Sequence, residues 1–292
     1  MIAADRCTGR FAPSPSGPLH FGSLLAALAS FVDARARAGR WLVRMEDLDP
    51  PREMPGADSL ILATLEKHAL HWDGTVLYQH SCHARYREIL ADLSARGLAY
   101  RCACSRARLA TLGHVYDGYC RTHSPPAGQT CALRLQLPDQ VVQFEDRIQG
   151  WQQQNLAKGG DCVIHRKDGL FAYQLAVVVD DIDQGVTDIV RGSDILESTG
   201  QQIYLGGLLG AGKQQYAHIP VVLGADGLKL SKQNHAPALD DTRPSSNLCR
   251  ALETLRQNPP GGLDNETPET VLKWAVTHWD ITAIPGVNSV TA

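Results

Sequence analysis

"RFAPSPSGPLHFGS", residues 10–23, places three prolines and two glycines within fourteen residues and a single histidine where a helix begins. Upstream, Cys7 to Ala12 is short, partly apolar and closed by Pro13, which predicts a buried strand ending in a turn that cannot continue a sheet ladder. Downstream, Phe21, Leu24, Leu25, Leu28, Phe31 and Val32 recur at three- and four-residue spacing, which predicts a helix, with Gly39 at its C-terminal cap. "WLVRM" at 41–45 predicts a second strand. Strand, helix and strand in that order make a parallel crossover unit, so the expected class is α/β with a parallel sheet. The loop at 13–18 then lies at a strand's C-terminal end, where open parallel sheets bind ligands and a helix start favours anions. Its prolines hold it rigid, Gly17 and Gly22 leave room for a ligand against the backbone, and His20 offers a donor at phosphate distance. The competing reading is a proline-rich turn with a surface histidine.

Composition bounds what such a loop can serve. With 292 residues, 43% hydrophobic and 20% charged, the chain can bury a full core as one large domain or two modest ones. A formal net charge of −3 supplies no general attraction for nucleic acid, so an RNA partner would have to be met by a local basic patch. Eight cysteines without a charged and apolar leader fit a reducing compartment and point to metal binding for any clustered subset. No apolar run approaches the roughly 20 residues of a membrane span, so a soluble, cytoplasmic protein is expected, with no membrane partner.

"PSPSGPLHFGS" resembles the first signature of class I aminoacyl-tRNA synthetases in their glutamyl form, with "HFGS" at 20–23 in place of the usual His-Ile-Gly-His. "KLSKQ" at Lys229 to Gln233 resembles the second signature, with Leu230 where methionine is commoner and Gln233 where serine is commoner. Alone, such a lysine-serine-lysine string reads as a solvated loop, but two signatures in the right order, each beside an expected strand, reinforce one another. The resemblance implies a Rossmann-type catalytic domain that activates an amino acid with ATP and Mg²⁺, the substrate carboxylate itself attacking the α-phosphate. It assigns catalysis to His20 and Lys232, and ATP binding to His20, Gly22, Lys229, Ser231 and Lys232.

Charges near the same crevice suggest the amino acid. "RMEDLDP" at 44–50 ends a strand in three acids, of which Glu46 could pair with an α-ammonium group, while Asp47 and Asp49 read equally as a solvated acidic turn. Arg10 on the first strand and Arg191 at the end of the expected strand "VTDIVRG" would, with that carboxylate, suit a ligand bearing two carboxylates and one amine, which is L-glutamate. Tyr173 precedes the apolar run Leu175 to Val179, expected as a buried element of the second half of the sheet, and on its own would be a core aromatic. The resemblance instead implies a glutamate pocket of Arg10, Ala12, Ser14, Glu46, Tyr173 and Arg191.

"YRCACSRARLATLGHVYDGYCRTH", residues 100–123, brings Cys102, Cys104 and Cys120 close in sequence. Three thiolates suit a structural zinc ion, with Tyr116, His114 and His123 all near enough to be fourth ligand; buried free thiols are the alternative. The resemblance favours Tyr116 as that ligand to one weakly held Zn²⁺. Cys7, Cys82, Cys131, Cys162 and Cys249 read as small apolar fillers. Arg101, Arg106, Arg108 and Arg121 surround the cluster and would present either a basic surface to RNA or a solvated face.

The expected organisation is a first catalytic half at 1–98, an inserted subdomain with the cysteine cluster at 99–165, a second catalytic half at 166–235 and a short helical region at 236–292. Two helices, Ser245 to Arg256 and Pro268 to Trp279, are expected in that last region around the breaker "NPPGGLDN". Sixty residues after Lys232 are too few for the anticodon-reading region of a full glutamyl-tRNA synthetase. "VRMEDLDPPRE", "DGLFAYQLAVVVDD" and "KLSKQNHAPAL" resemble the shorter glutamyl-Q tRNA(Asp) synthetase group, which implies tRNA-independent glutamate activation and transfer to queuosine, the first anticodon base of tRNA(Asp), by a monomer. A truncated or paralogous glutamyl-tRNA synthetase loading a tRNA 3′ end, a small-molecule nucleotidyltransferase and a non-catalytic RNA-binding module are the rivals.

Overall fold

The structure, a computed structural model, describes residues 7–113, 115–224, 226–230 and 236–291. Its strands are β1 (Thr8–Phe11), β2 (Arg40–Met45), β3 (Leu77–Tyr78), β4 (Ala99–Cys102), β5 (Ala132–Leu135), β6 (Val141–Asp146), β7 (Gly150–Asn155), β8 (Val163–His165), β9 (Asp188–Gly192), β10 (Gln215–Ile219), β11 (Val221–Leu223) and β12 (Ser289–Thr291). Its helices are α1 (Phe21–Ala36), α2 (Ala57–Lys67), α3 (His83–Ala95), α4 (Arg106–Thr111), α5 (Tyr119–Thr122), α6 (Tyr173–Asp183), α7 (Thr199–Leu208), α8 (Pro244–Thr254) and α9 (Pro268–His278).

Among the described residues a seven-stranded sheet runs β3-β2-β1-β9-β10-β6-β7, parallel throughout except for the antiparallel edge strand β7. The crossover β1-α1-β2 is the one the opening stretch predicts, with Arg10 opposite Leu42 in register. Helix α1 closes differently from expectation. Ala38 takes the left-handed turn with φ of 51°, and the N–H groups of Ala38 and Gly39 return to the carbonyls of Arg35 and Ala34. Gly39 is needed for a different reason, because a Cβ there would stand 2.5 Å from the carbonyl oxygen of Cys7.

Both faces of the sheet are covered, since adjacent strand residues enter opposite cores. Val190 and Ala217 join Leu24, Leu28, Leu248 and Val271 of α1, α8 and α9, whereas their neighbours Ile189 and Tyr216 join Leu93, Leu175, Val179 and Leu205 of α3, α6 and α7. The apolar run at 175–179, expected within the sheet, is helix α6: five consecutive apolar residues satisfy a buried helix as well as a strand, and periodicity cannot separate the two. Helices α8 and α9 match the two expected C-terminal helices to within two residues and pack on α1. Buried Asp33 of α1 ties three parts of the chain together, accepting from Arg37, Arg147 and the indole of Trp279. Between residues 99 and 165 the chain divides: β4, β5 and β8 make a separate three-stranded sheet, while β6 and β7 extend the main one. None of the helices described is long and apolar enough to cross a membrane.

Candidate active site

The C-terminal ends of β1, β2, β9 and β10 open on one edge of the sheet, and the first signature and the described start of the second lie there. His20 caps α1: its Nδ1 accepts from the Ser23 N–H at 3.2 Å and its Nε2 lies 3.0 Å from the Ser23 hydroxyl. Ser23, standing where the family's second histidine is usual, thus fixes the first. Gly17 takes φ of 146°, a conformation side chains rarely adopt, in the turn leading to the cap. The described start of the second signature, Lys229 and Leu230, returns from β11 through a hairpin closed by Gly224 and Leu228, with Leu223 bridging Lys229. The two segments touch. His20 bridges Ala238, the Leu239 N–H donates to the Leu19 carbonyl, and a Cβ on Gly22 would meet the His20 ring at 3.3 Å and the Leu230 carbonyl at 3.5 Å. Lys229 pairs with Asp194 at 2.6 Å on the surface. Ser231 and Lys232 lie outside the described residues.

The six residues expected to hold glutamate fall on the same edge. The Glu46 N–H donates to the Pro13 carbonyl, which draws the Ala12 to Ser14 turn against the end of β2. Tyr173 opens α6, and its hydroxyl lies within the electrostatic reach of Arg191, Glu46, Arg10 and Asp181. Burial raises the pKa of that hydroxyl, opposed by Arg191. The arginines behave differently from one another. Arg10 is 3% exposed and spends its charge on Asp181 of α6, at 3.1 Å, and Arg44 joins the same carboxylate at 2.8 Å. Arg191 pairs with no carboxylate among the described residues; its Nε donates to His218, its Nη2 to the Thr199 hydroxyl, and its buried Nη1 has no hydrogen-bond partner among them. Glu46 is pushed up to about 7, chiefly by burial, with Arg44 and Arg10 opposing. The remaining acids of its loop are structural: Asp47 accepts from the backbone and ring of His80, and Asp49 bridges Arg52 and Arg166.

Sequence reasoning missed Arg44, Asp180, Asp181, Asp146 and His218. The run "VVVDDID" carried a usable signal, since two acids follow buried valines where a solvated face is not available. Asp180 accepts from Gln79 and Tyr86, and Asp181 takes both arginines.

The cysteine cluster assembles. The sulfurs of Cys102, Cys104 and Cys120 lie within 4.8 Å of one another, and the Tyr116 hydroxyl is 3.5 Å from the Cys102 sulfur and 3.9 Å from that of Cys104. The 3.6 Å between Cys104 and Cys120 suits tetrahedral thiolates on a metal with bonds of about 2.3 Å. Burial pushes the Cys102 thiol up, but Tyr116 and Arg134 outweigh it and bring the group down to about 7. Gly160, with φ of 67°, packs where a Cβ would strike the Tyr116 backbone at 2.7 Å, and the Arg134 guanidinium covers the ring of Tyr116 at 3.9 Å. His123 turns away to the Tyr119 carbonyl, and His114 lies outside the described residues. Of the surrounding arginines, Arg101 is held by the carbonyls of Pro126 and Gln129, Arg108 by Asp117 and Arg121 by Asp161. Exposed Arg106 lines a cavity of about 470 Å³ between this insertion and α7.

Residues 6–243 match the family described as class I tRNA synthetases (E and Q), catalytic domain. The Glutamyl-Q tRNA(Asp) synthetase of Pectobacterium atrosepticum is 52% identical over 282 residues, covering 96% of this chain and 87% of the relative. That of Vibrio cholerae is 49% identical over 285 residues, covering 97% and 93%. Among solved structures, a glutamate tRNA ligase of Elizabethkingia meningosepticum in complex with its amino acid has the same fold, with a TM-score of 0.81 at 21% identity. The match covers 97% of this chain and 66% of that one, so the chain spans just under two thirds of the ligase.

Proposed function

Because the chain belongs to the glutamyl-Q tRNA(Asp) synthetase family, built on the class I synthetase catalytic domain, we propose that it activates L-glutamate with ATP and transfers it to queuosine in tRNA(Asp). The observation that carries the glutamate reading is the buried Nη1 of Arg191, a cation that pairs with no carboxylate among the described residues and lies near Glu46 and Tyr173. Glu46 binds the α-ammonium group, Arg191 a carboxylate, and Tyr173 with the Ala12 to Ser14 turn closes the pocket.

In the first step an oxygen of the glutamate α-carboxylate attacks the α-phosphorus of ATP, the bond to the β,γ-phosphates breaks, and pyrophosphate leaves from glutamyl-adenylate. His20, held by Ser23 above Gly22, and Lys232 stabilise the charge that develops, and Lys229 and Ser231 hold the triphosphate. Mg²⁺ would supply further neutralisation of the charge on the phosphates. In the second step a hydroxyl of the queuosine cyclopentene diol attacks the acyl carbon, AMP leaves, and an ester forms on the base. The base must be unpaired to enter, as anticodon-loop bases are. Cys102, Cys104, Tyr116 and Cys120 would hold one structural zinc, which would supply a cross-link within the insertion and no chemistry in either step. The enzyme acts as a monomer.

Incubating the protein with labelled glutamate, ATP and total tRNA, with and without queuosine, tests the reading. Label should appear only on queuosine-containing tRNA and survive on an isolated anticodon stem-loop. Label on the 3′-terminal adenosine instead would restore the ordinary synthetase.

A further inference from the structure

Arg191 differs from Arg10 and Arg44, the buried arginines nearest to it at this edge of the sheet, in what holds it. Arg10 and Arg44 share the carboxylate of Asp181, but both partners of Arg191 are neutral acceptors: its Nε donates to His218 Nε2 at 2.9 Å and its Nη2 to Thr199 Oγ1 at 2.9 Å. His218 sits on β10, fully buried, and its Nδ1 donates to Asp146 Oδ2 at 2.5 Å across the neighbouring strand β6. A guanidinium N–H can only donate, so the bond from Arg191 requires a lone pair on His218 Nε2 and therefore the proton on Nδ1. Asp146 enforces that tautomer, because it can only accept. Its other oxygen is anchored by the backbone N–H groups of Ile148, Gln149 and His218 at 2.8 to 3.1 Å. The imidazole thus separates the negative charge of Asp146 from the guanidinium, fixing the direction of Arg191 without pairing it.

We propose that His218, set in its Nδ1–H tautomer by Asp146, is the positioning residue that aims Nη1 of Arg191 at the substrate carboxylate. This rests on the glutamate pocket described above. Thr199 holds the second nitrogen, so the two contacts together leave the guanidinium plane one orientation.

The test is Asp146→Asn. The amide oxygen keeps the three backbone bonds while the amide nitrogen donates to Nδ1, which moves the ring proton to Nε2 and sets it against the Arg191 N–H. The Michaelis constant for glutamate in pyrophosphate exchange should rise about 10- to 100-fold, the scale of one hydrogen bond to a charged group, with that for ATP nearly unchanged and the melting temperature lowered by only a few degrees, roughly the cost of one buried donor left unmatched. An unchanged glutamate constant, or glutamate and ATP constants rising together, would overturn the proposal. Nitrogen-15 shifts of the wild-type ring should report the Nδ1–H tautomer, and the Nε2–H form there would overturn it outright. Arg191→Ala separates the two levels: if it too leaves the glutamate constant unchanged, the pocket reading itself fails, whereas a raised constant in Arg191→Ala beside an unchanged one in Asp146→Asn removes only the positioning role.

Discussion

The carbonyl oxygen of Leu230 lies 3.5 Å from where a side chain on Gly22 would begin, so the two signature segments, some 200 residues apart in sequence, share one contact. The edge of the His20 ring lies 3.3 Å from the same point. Gly22→Ala should therefore separate folding from catalysis. Alanine in the first turn of α1 favours the helix by up to about 1 kcal/mol, while its methyl group displaces the His20 ring by a few tenths of an ångström. Unfolding stability should stay within about 1 kcal/mol of wild type, and pyrophosphate exchange should fall about tenfold.

Glu46 sets a pH dependence. Its carboxyl is pushed up to about 7, so below that pH it is mostly neutral and must ionise before it can pair with an α-ammonium group. Glutamate binding then releases a proton, and the Michaelis constant for glutamate should rise as pH falls below about 7, approaching tenfold per unit. Glu46→Gln should abolish that dependence and leave a uniformly weak site, as rate measurements between pH 5.5 and about 8 would record.

Asp181 carries the opposite risk. Burial raises its pKa, but Arg10 and Arg44 together hold it below the ordinary carboxylate range. Asp181→Ala would leave two buried guanidinium groups without their shared counter-charge, at a cost of about 3 to 5 kcal/mol. Thermal unfolding should drop by roughly 10 °C or more, a loss that Arg191→Ala should not match, because no carboxylate among the described residues is left behind there.

Purified protein should carry one equivalent of zinc, measured by elemental analysis, and Cys104→Ser should lose most of it. Because the four donors lie at the end of β4, in the segment that follows it, on α5 and in the segment before α5, loss of the metal should open residues 100–123 to proteolysis while pyrophosphate exchange continues.

For the RNA, Arg106 is the arginine to change. Arg108 and Arg121 are bound to Asp117 and Asp161, so their substitution would disturb the insertion itself. Arg106→Ala should weaken tRNA binding uniformly and lower the slope of log affinity against log salt by about one, with adenylate formation intact.

The crossover and the two C-terminal helices could be read from apolar periodicity and breakers, and the gathering of Arg10, Glu46 and Arg191 at one sheet edge from the ends of the expected strands, whereas Tyr173 joined them only through the family resemblance. What could not be read was which arginine remained available. Arg10 and Arg191 look alike in sequence, yet their roles divide on partners 171 and 27 residues away, Asp181 and His218, whose distances exist only after folding. Likewise the four arginines around the cysteines formed one basic stretch in the sequence, whereas three are engaged by acceptors within the insertion or its neighbours.

Strand β1 sits inside the sheet, with β2 on one side and β9 on the other, and the second partner begins at residue 188. A ribosome adding about 5 to 20 residues per second needs roughly 10 to 35 s between the emergence of β1 and that of β9. During that interval β1 presents an unpaired row of backbone groups, and Arg10 and Arg44 wait for an aspartate on α6 that has yet to be made. The nascent chain therefore passes through a long stage in which its centre is an open edge, and slowed elongation or a shortage of chaperone should harm this protein during its synthesis more than after its release.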